Sequence, residues 1–240
     1  MIVTNRFVFL HLHKSGGTFV NQFLLRFFPE AQLIGYHLPR AYLPAPFEHL
    51  PLFGLVRNPW DYYVSWHSFQ VMRPSPNPLY RCASDDGRLG FAATVRNLVT
   101  LGEQPERLAV LRSQLPDRFT GHGINLTRNC LSPLAGFRSG FYTFMYRRMY
   151  VDDTDVTIGR MESLRADLAA FLESLDIRVT PEMTHFIRFR DRTNTSVHRP
   201  YWELYDDATR ELVARRDASV IDRFGYRFDP GAQRQASAPP

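Results

Sequence analysis

Lys14 is the one lysine among 29 basic residues, the other 28 being arginine. It stands in His13-Lys14-Ser15-Gly16-Gly17-Thr18. Backbone N–H groups around two glycines that open into a helix make a concave anion site, and Lys14 adds a compact point charge that a planar guanidinium does not reproduce. The lysine precedes the glycines, so the order Gly-x-x-x-x-Gly-Lys-Ser/Thr of magnesium-dependent nucleotide triphosphatases is absent. A strand–Gly-Gly–helix turn is also an ordinary connection, and one lysine can arise by chance in an arginine-biased composition. A second cluster is Arg57-Asn58-Pro59-Trp60-Asp61-Tyr62-Tyr63-Val64-Ser65. An arginine leaving a strand, with a serine about two turns into the next helix, can converge with it on one anion. Taken alone, Arg-x-Pro is equally a capped helix start.

A base is needed where a hydroxyl is to be activated. Our candidate is His37 in Gly35-Tyr36-His37-Leu38-Pro39, whose imidazole has an ordinary pKa of about 6.5, suited to taking a proton near neutral pH. His67 is the next candidate. His11 and His13 read as strand residues, and His37 has the alternative reading of a residue that merely begins a turn.

These residues need elements to hold them. Residues 7–13 read as a buried strand ending at Gly16-Gly17, followed by a helix from Thr18 whose Phe19, Val20, Phe23, Leu24, Phe27 and Phe28 recur at helical spacing until Pro29. Gln32 to Tyr36 and Leu52 to Val56 read as further strands. Asn58 caps a helix with Pro59 at its first position, running to about Met72. Val156 to Gly159 reads as a strand, and Leu164, Leu168, Phe171, Leu172 and Leu175 give the next helix one apolar face. A last helix runs from Asp206 or Asp207 to Gly225. Strands alternating with helices predict an α/β fold, a mainly parallel sheet with helices on both faces and ligands beyond the strand carboxyl ends, where both clusters lie. Residues 1–229 are expected to form a single domain and 230–240 a disordered tail. Residues 73–153 form the expected acceptor-binding insertion, including the aromatic and basic run Phe141 to Tyr150.

The order and spacing of the two clusters, Lys-Ser-Gly-Gly-Thr after the first strand and then Arg-Asn-Pro with serine eight residues beyond the arginine, resemble the sulfotransferases that use 3′-phosphoadenosine-5′-phosphosulfate (PAPS). The likeness covers positions 7 to 72 and is nearest to the branch acting on carbohydrates and related hydroxyl compounds. It implies a modified P-loop after the first strand, with Lys14, Ser15, Gly16, Gly17 and Thr18 at the 5′-phosphosulfate and Arg57 and Ser65 at the 3′-phosphate. It also implies transfer of a sulfuryl group from PAPS to an acceptor hydroxyl, a carbohydrate or another hydroxyl compound. Certain members use a histidine from a segment comparable to that of His37, and others a glutamate. Gly159 to Leu164 and Phe224-Gly225-Tyr226 are similar to later family segments. No Arg-Lys-Gly segment of the kind that clamps the 3′-phosphate in small-molecule sulfotransferases is present, and the loop Arg192 to Ser196 is the expected substitute.

In this reading catalysis is positioning plus stabilisation of charge on the leaving phosphate, with Lys14 the main electrostatic group and no metal. The rivals are a P-loop kinase with an aberrant loop and a non-catalytic nucleotide or anion binder. A net charge of +5 suits an anionic ligand, but the basic residues are dispersed, so nucleic acid is not indicated. No apolar run approaches the eighteen or so residues of a membrane span, and no leader is visible. With Cys82 and Cys130 far apart, the expectation is a reducing, cytoplasmic setting. Asn125-Leu126-Thr127 and Asn194-Thr195-Ser196 match glycosylation acceptors and are read as ordinary residues.

Overall fold

A computed structural model describes residues 1–119, 125–151, 153–191 and 199–229. In chain order the strands are β1 (Ile2–Val3), β2 (Val8–Leu10), β3 (Gln32–Leu33), β4 (Leu52–Val56) and β5 (Val156–Arg160). The α-helices are α1 (Gly17–Phe27), α2 (Pro59–Val71), α3 (Pro78–Ser84), α4 (Phe91–Val99) and α5 (Pro105–Ser113). They continue with α6 (Phe141–Tyr150), α7 (Leu164–Ser174), α8 (Pro181–Phe189), α9 (Asp207–Arg216) and α10 (Ala218–Phe224). The fold is α/β. Contacts within the chain divide it into two compact units, residues 1–57 with 147–195 and residues 58–146 with 196–240. Most of the expected insertion, residues 73–146, falls in the second unit and its end falls in the first, while the expected tail lies outside the described residues.

The first unit holds the sheet, ordered β3-β1-β2-β4-β5. β2, β4 and β5 pair in parallel, Val8 opposite Leu52 and Leu52 opposite Val156. β1 pairs antiparallel with both β2 and β3, so the sheet is mixed where a mainly parallel one was expected. The cause is a tight turn at its start. The Thr4 hydroxyl accepts from the Arg6 and Phe7 N–H groups and donates to the Phe7 carbonyl, folding Ile2–Val3 back along β2. Alternate residues Phe7, Phe9, Phe53 and Leu55 form one apolar face under α1, α7 and α8. Phe171 stacks on Phe53 at 4.5 Å and meets Phe7 edge-on at 5.1 Å, pair geometries worth about 0.5–1.5 kcal/mol each beyond the area they bury.

The second unit is helical. Asn58 caps α2 as its sequence predicts, its side chain accepting from the Trp60 N–H at 3.1 Å ahead of Pro59. The predicted last helix is two helices, broken at Asp217, whose φ is −101° and ψ 18°. The Asp217 carboxylate is fully buried and accepts from the Thr143 N–H (2.8 Å), the Thr143 hydroxyl (2.7 Å) and the Tyr63 hydroxyl (2.8 Å). The Asp217 N–H still bonds to the Val213 carbonyl and its own carbonyl accepts from Val220 and Ile221, so the chain changes direction there while three donors inside the unit hold the carboxylate. Burial lifts its pKa to about 6.

Candidate functional site: the Lys14 loop

The site is built in the first unit, where β2 ends and α1 begins. β2 stops at Leu10, so His11 and His13, expected to be strand residues, belong to the connection that follows it. Lys14 has a φ of 60°, and Gly16, which caps α1, a φ of 82°. Only glycine takes the latter without strain, and here space forbids a side chain as well, since a Cβ on Gly16 would lie 2.4 Å from Leu164 Cδ1. Leu164 and Met161 follow β5 and form the floor under the loop. Gly17 is glycine for another reason. Its Cβ would sit 2.0 Å from Cδ2 and 2.2 Å from Nε2 of His11, so the imidazole edge of His11 lies against the first residue of α1. Ser15 is fully buried and its hydroxyl faces the His13 carbonyl at 3.4 Å, while Lys14 and Thr18 are half-buried. At the start of α1 the Phe19 N–H is taken by the Gly16 carbonyl at 3.0 Å, and the N–H groups of Gly17 and Thr18 precede the first intrahelical bonds.

Arg57 leaves β4 beside that loop and its Nη1 donates to the Lys14 carbonyl at 3.0 Å. It is 7% exposed, and the bond uses one of five guanidinium donors. Tyr150 shapes this end of the sheet. β2 pairs with β4 only as far as Gly54, and the Tyr150 hydroxyl accepts from the Leu55 N–H (2.9 Å) and donates to the Leu55 carbonyl (2.8 Å). Gly54 makes room for it, because a Cβ there would lie 2.3 Å from the Tyr150 ring. A buried hydroxyl thus satisfies the backbone groups that strand pairing leaves over. Burial, followed by the charge of Arg57, lowers the pKa of Lys14 to about 8.

His37 stands on the other side of His11, with a φ of 52°. Its Nδ1 is 2.9 Å from the His11 carbonyl oxygen. A carbonyl only accepts, so Nδ1 carries the proton and Nε2 keeps its lone pair. The His37 ring lies 4.3 Å from that of His11 and 5.2 Å from that of His13. The ordinary imidazole pKa expected of His37 is not what its surroundings give. Burial lowers it to about 4, with the Met1 amine and the charges of Lys14 and Arg148 acting in the same direction against the hydrogen bond to His11. Burial also holds His11 and His13 well below the usual imidazole value.

The structure therefore brings Lys14, Ser15, Gly16, Gly17, Thr18, Arg57 and His37 into one unit. Ser65 and His67 belong to the second unit. Ser65 is 3% exposed on α2, and His67 packs near Tyr80 and Phe91 with its ring at 5.7 and 5.3 Å from theirs. Arg192 to Ser196 lie outside the described residues. In the run Phe141 to Tyr150, expected to recognise an acceptor, Phe141, Tyr142, Phe144, Met145, Tyr146, Met149 and Tyr150 are all buried, so these side chains pack the interior. Asn125 and Thr127 are buried too, as suits ordinary residues. A surface hollow of about 590 Å³ lies apart from the Lys14 loop, lined by Arg26, His185, Phe186 and Phe189 among others. Sequence reasoning passed over Asn21, Arg148 and the wedge residue Tyr150. The recurrence of histidine at positions 11, 13 and 37, around the ends of neighbouring segments, was the available signal for the cluster. A scan against protein-family models finds no match for this chain, and a search of curated proteins finds none either.

Proposed function

We propose that the chain is a PAPS-dependent sulfotransferase that moves a sulfuryl group to the hydroxyl of an acceptor, a carbohydrate or a related compound. The observation that carries the reading is the bond from Arg57 to the Lys14 carbonyl. It joins the two clusters whose order and spacing resemble that family, and sets two cations at the amino end of one helix. Burial and the charge of Arg57 depress Lys14, an effect that an anion bound at the loop reverses, and a terminal phosphosulfate supplies one. The loop from Lys14 to Thr18 fits a modified P-loop, with α1 and the β2–β4–β5 parallel trio as its frame.

In the proposed reaction the acceptor oxygen bonds to sulfur while the bond from sulfur to the phosphate oxygen breaks. The electron pair stays on the leaving adenosine 3′,5′-bisphosphate. Lys14 and the first N–H groups of α1 hold the charge that grows there, while Arg57 holds the 3′-phosphate. The acceptor proton goes to Nε2 of His37, whose tautomer is set by the His11 carbonyl. A base with a pKa near 4 is weak, and an anion bound beside it strengthens it by favouring the imidazolium. Incubation with PAPS and a panel of saccharides, phenols, lipids and peptides, read by mass spectrometry for sulfated product, tests the proposal. Bisphosphate binding without any sulfated product would favour the non-catalytic binder.

A further inference from the structure

The His11 side chain has no part in the reaction as written, yet it is closely held beside the loop. It is 5% exposed, its Nδ1 faces Nδ2 of Asn21 at 3.3 Å, and its Nε2 edge occupies the space that a side chain on Gly17 would need. An amide nitrogen only donates, so Nδ1 of His11 accepts and the ring proton sits on Nε2, the nitrogen at the amino end of α1. Asn21 is itself 5% exposed, and its Oδ1 has no hydrogen-bond partner. As placed, the amide leaves its oxygen and one N–H without a partner, and turning it over would leave two N–H groups instead, the costlier arrangement inside a protein.

We propose that His11 is a further ligand-contacting residue of this site, a neutral Nε2–H donor to an oxyanion held at residues 14–18, and that Asn21 is the positioning residue that fixes its tautomer. The inference rests on reading that loop as an oxyanion site. His11 and His37 then hold opposite tautomers, one presenting a proton to the bound anion and the other a lone pair to the incoming hydroxyl. Burial keeps both rings neutral near neutral pH, which this division of labour requires. A neutral donor adds attraction where Lys14 and Arg57 already crowd two positive charges, without a third.

The test uses the full chain with nitrogen-15 in its histidine rings. Long-range proton–nitrogen spectra identify the protonated nitrogen of each ring, with His11→Gln and His37→Asn supplying the assignments. In the free protein His11 is expected to carry its proton on Nε2 and His37 on Nδ1. Titration with inorganic phosphate should move the His11 Nε2 signal. His11→Leu should bind phosphate roughly ten- to a hundredfold more weakly, and His11→Gln, which keeps a donor at that reach, should recover most of the loss. Asn21→Asp should draw the proton to Nδ1 and weaken phosphate binding while the His37 signals stay in place. A wild-type His11 protonated on Nδ1, a wild-type protein that binds no phosphate, or equal phosphate affinity in His11→Leu would each overturn the proposal. Absence of sulfated product with these histidine results intact would instead remove the transferase and leave the oxyanion donor standing.

Discussion

Acid should loosen the first unit through His37, and the size of the effect follows from its surroundings. An imidazole that titrates at 6.5 in the unfolded chain and at about 4 in the folded one takes up its proton first in the unfolded state. Between those values the unfolded chain binds one more proton, so stability rises with pH and is lost as pH falls from 6.5 towards 4. One proton corresponds to about 1.4 kcal/mol per pH unit, and the whole shift to roughly 3 kcal/mol, with His11 and His13 adding in the same direction. Trp60, Trp66 and Trp202 all lie in the second unit, so tryptophan fluorescence does not report this event. Hydrogen exchange of the β2 and β4 amides does. After correction for intrinsic exchange, their protection should fall about tenfold per pH unit through the window, plus whatever His11 and His13 contribute. Comparison with His37→Asn isolates the His37 share, since asparagine tolerates a positive φ and can still donate to the His11 carbonyl. Its pH slope should be shallower by close to one proton. Parallel slopes in wild type and His37→Asn would refute both the burial argument and the tautomer drawn from it.

The second unit should show the opposite dependence, because Asp217 binds its proton in the folded state at about 6 against an ordinary value of 3.8. Its stability, followed by tryptophan fluorescence in urea, should increase by roughly 3 kcal/mol as pH falls from above 6 towards 4 relative to Asp217→Asn, which lacks the titration. Tyr150→Phe strands the Leu55 N–H and carbonyl and should cost the first unit about 1–3 kcal/mol, with the Leu55 amide losing its protection first. The affinity for adenosine 3′,5′-bisphosphate should decline as pH rises through about 8, where Lys14 loses its charge, and Lys14→Arg should bind more weakly but without that decline, as titration calorimetry at several pH values would show.

What could be read from the residues depended on how local its cause was. The α1 face, the Leu52 to Val56 strand, the Asn58 cap and the apolar stripe of α7 rest on periodicity and turn chemistry within a few residues. β1 escaped because two residues carry no period, and its antiparallel pairing is set by the Thr4 turn. The break at Asp217 escaped because an acid between two helical stretches looks like a solvated surface residue. Its three donors come from Tyr63 and Thr143, remote in sequence. In the run Phe141 to Tyr150 the aromatic side chains fill the interior, which its mixed aromatic and basic composition did not foretell.

At the site, residue types were legible and their electrostatics were not. Gly-Gly after a strand announced the loop, but the two glycines serve different ends, Gly16 a left-handed turn over Leu164 and Gly17 the edge of His11. A titration value cannot be read from a residue's identity when burial decides it. His37, assigned as a base on its ordinary pKa, lies far below that value, and Lys14, the one lysine, is itself drawn towards neutrality by burial and Arg57. Both departures have the sign that an anion would reverse. Negative charge at the loop raises the proton affinity of Lys14 and of His37 together, restoring full charge to the one and basicity to the other. A site poised in this way is weakly basic when empty and becomes competent as its ligand enters, a coupling that a list of motif residues does not contain.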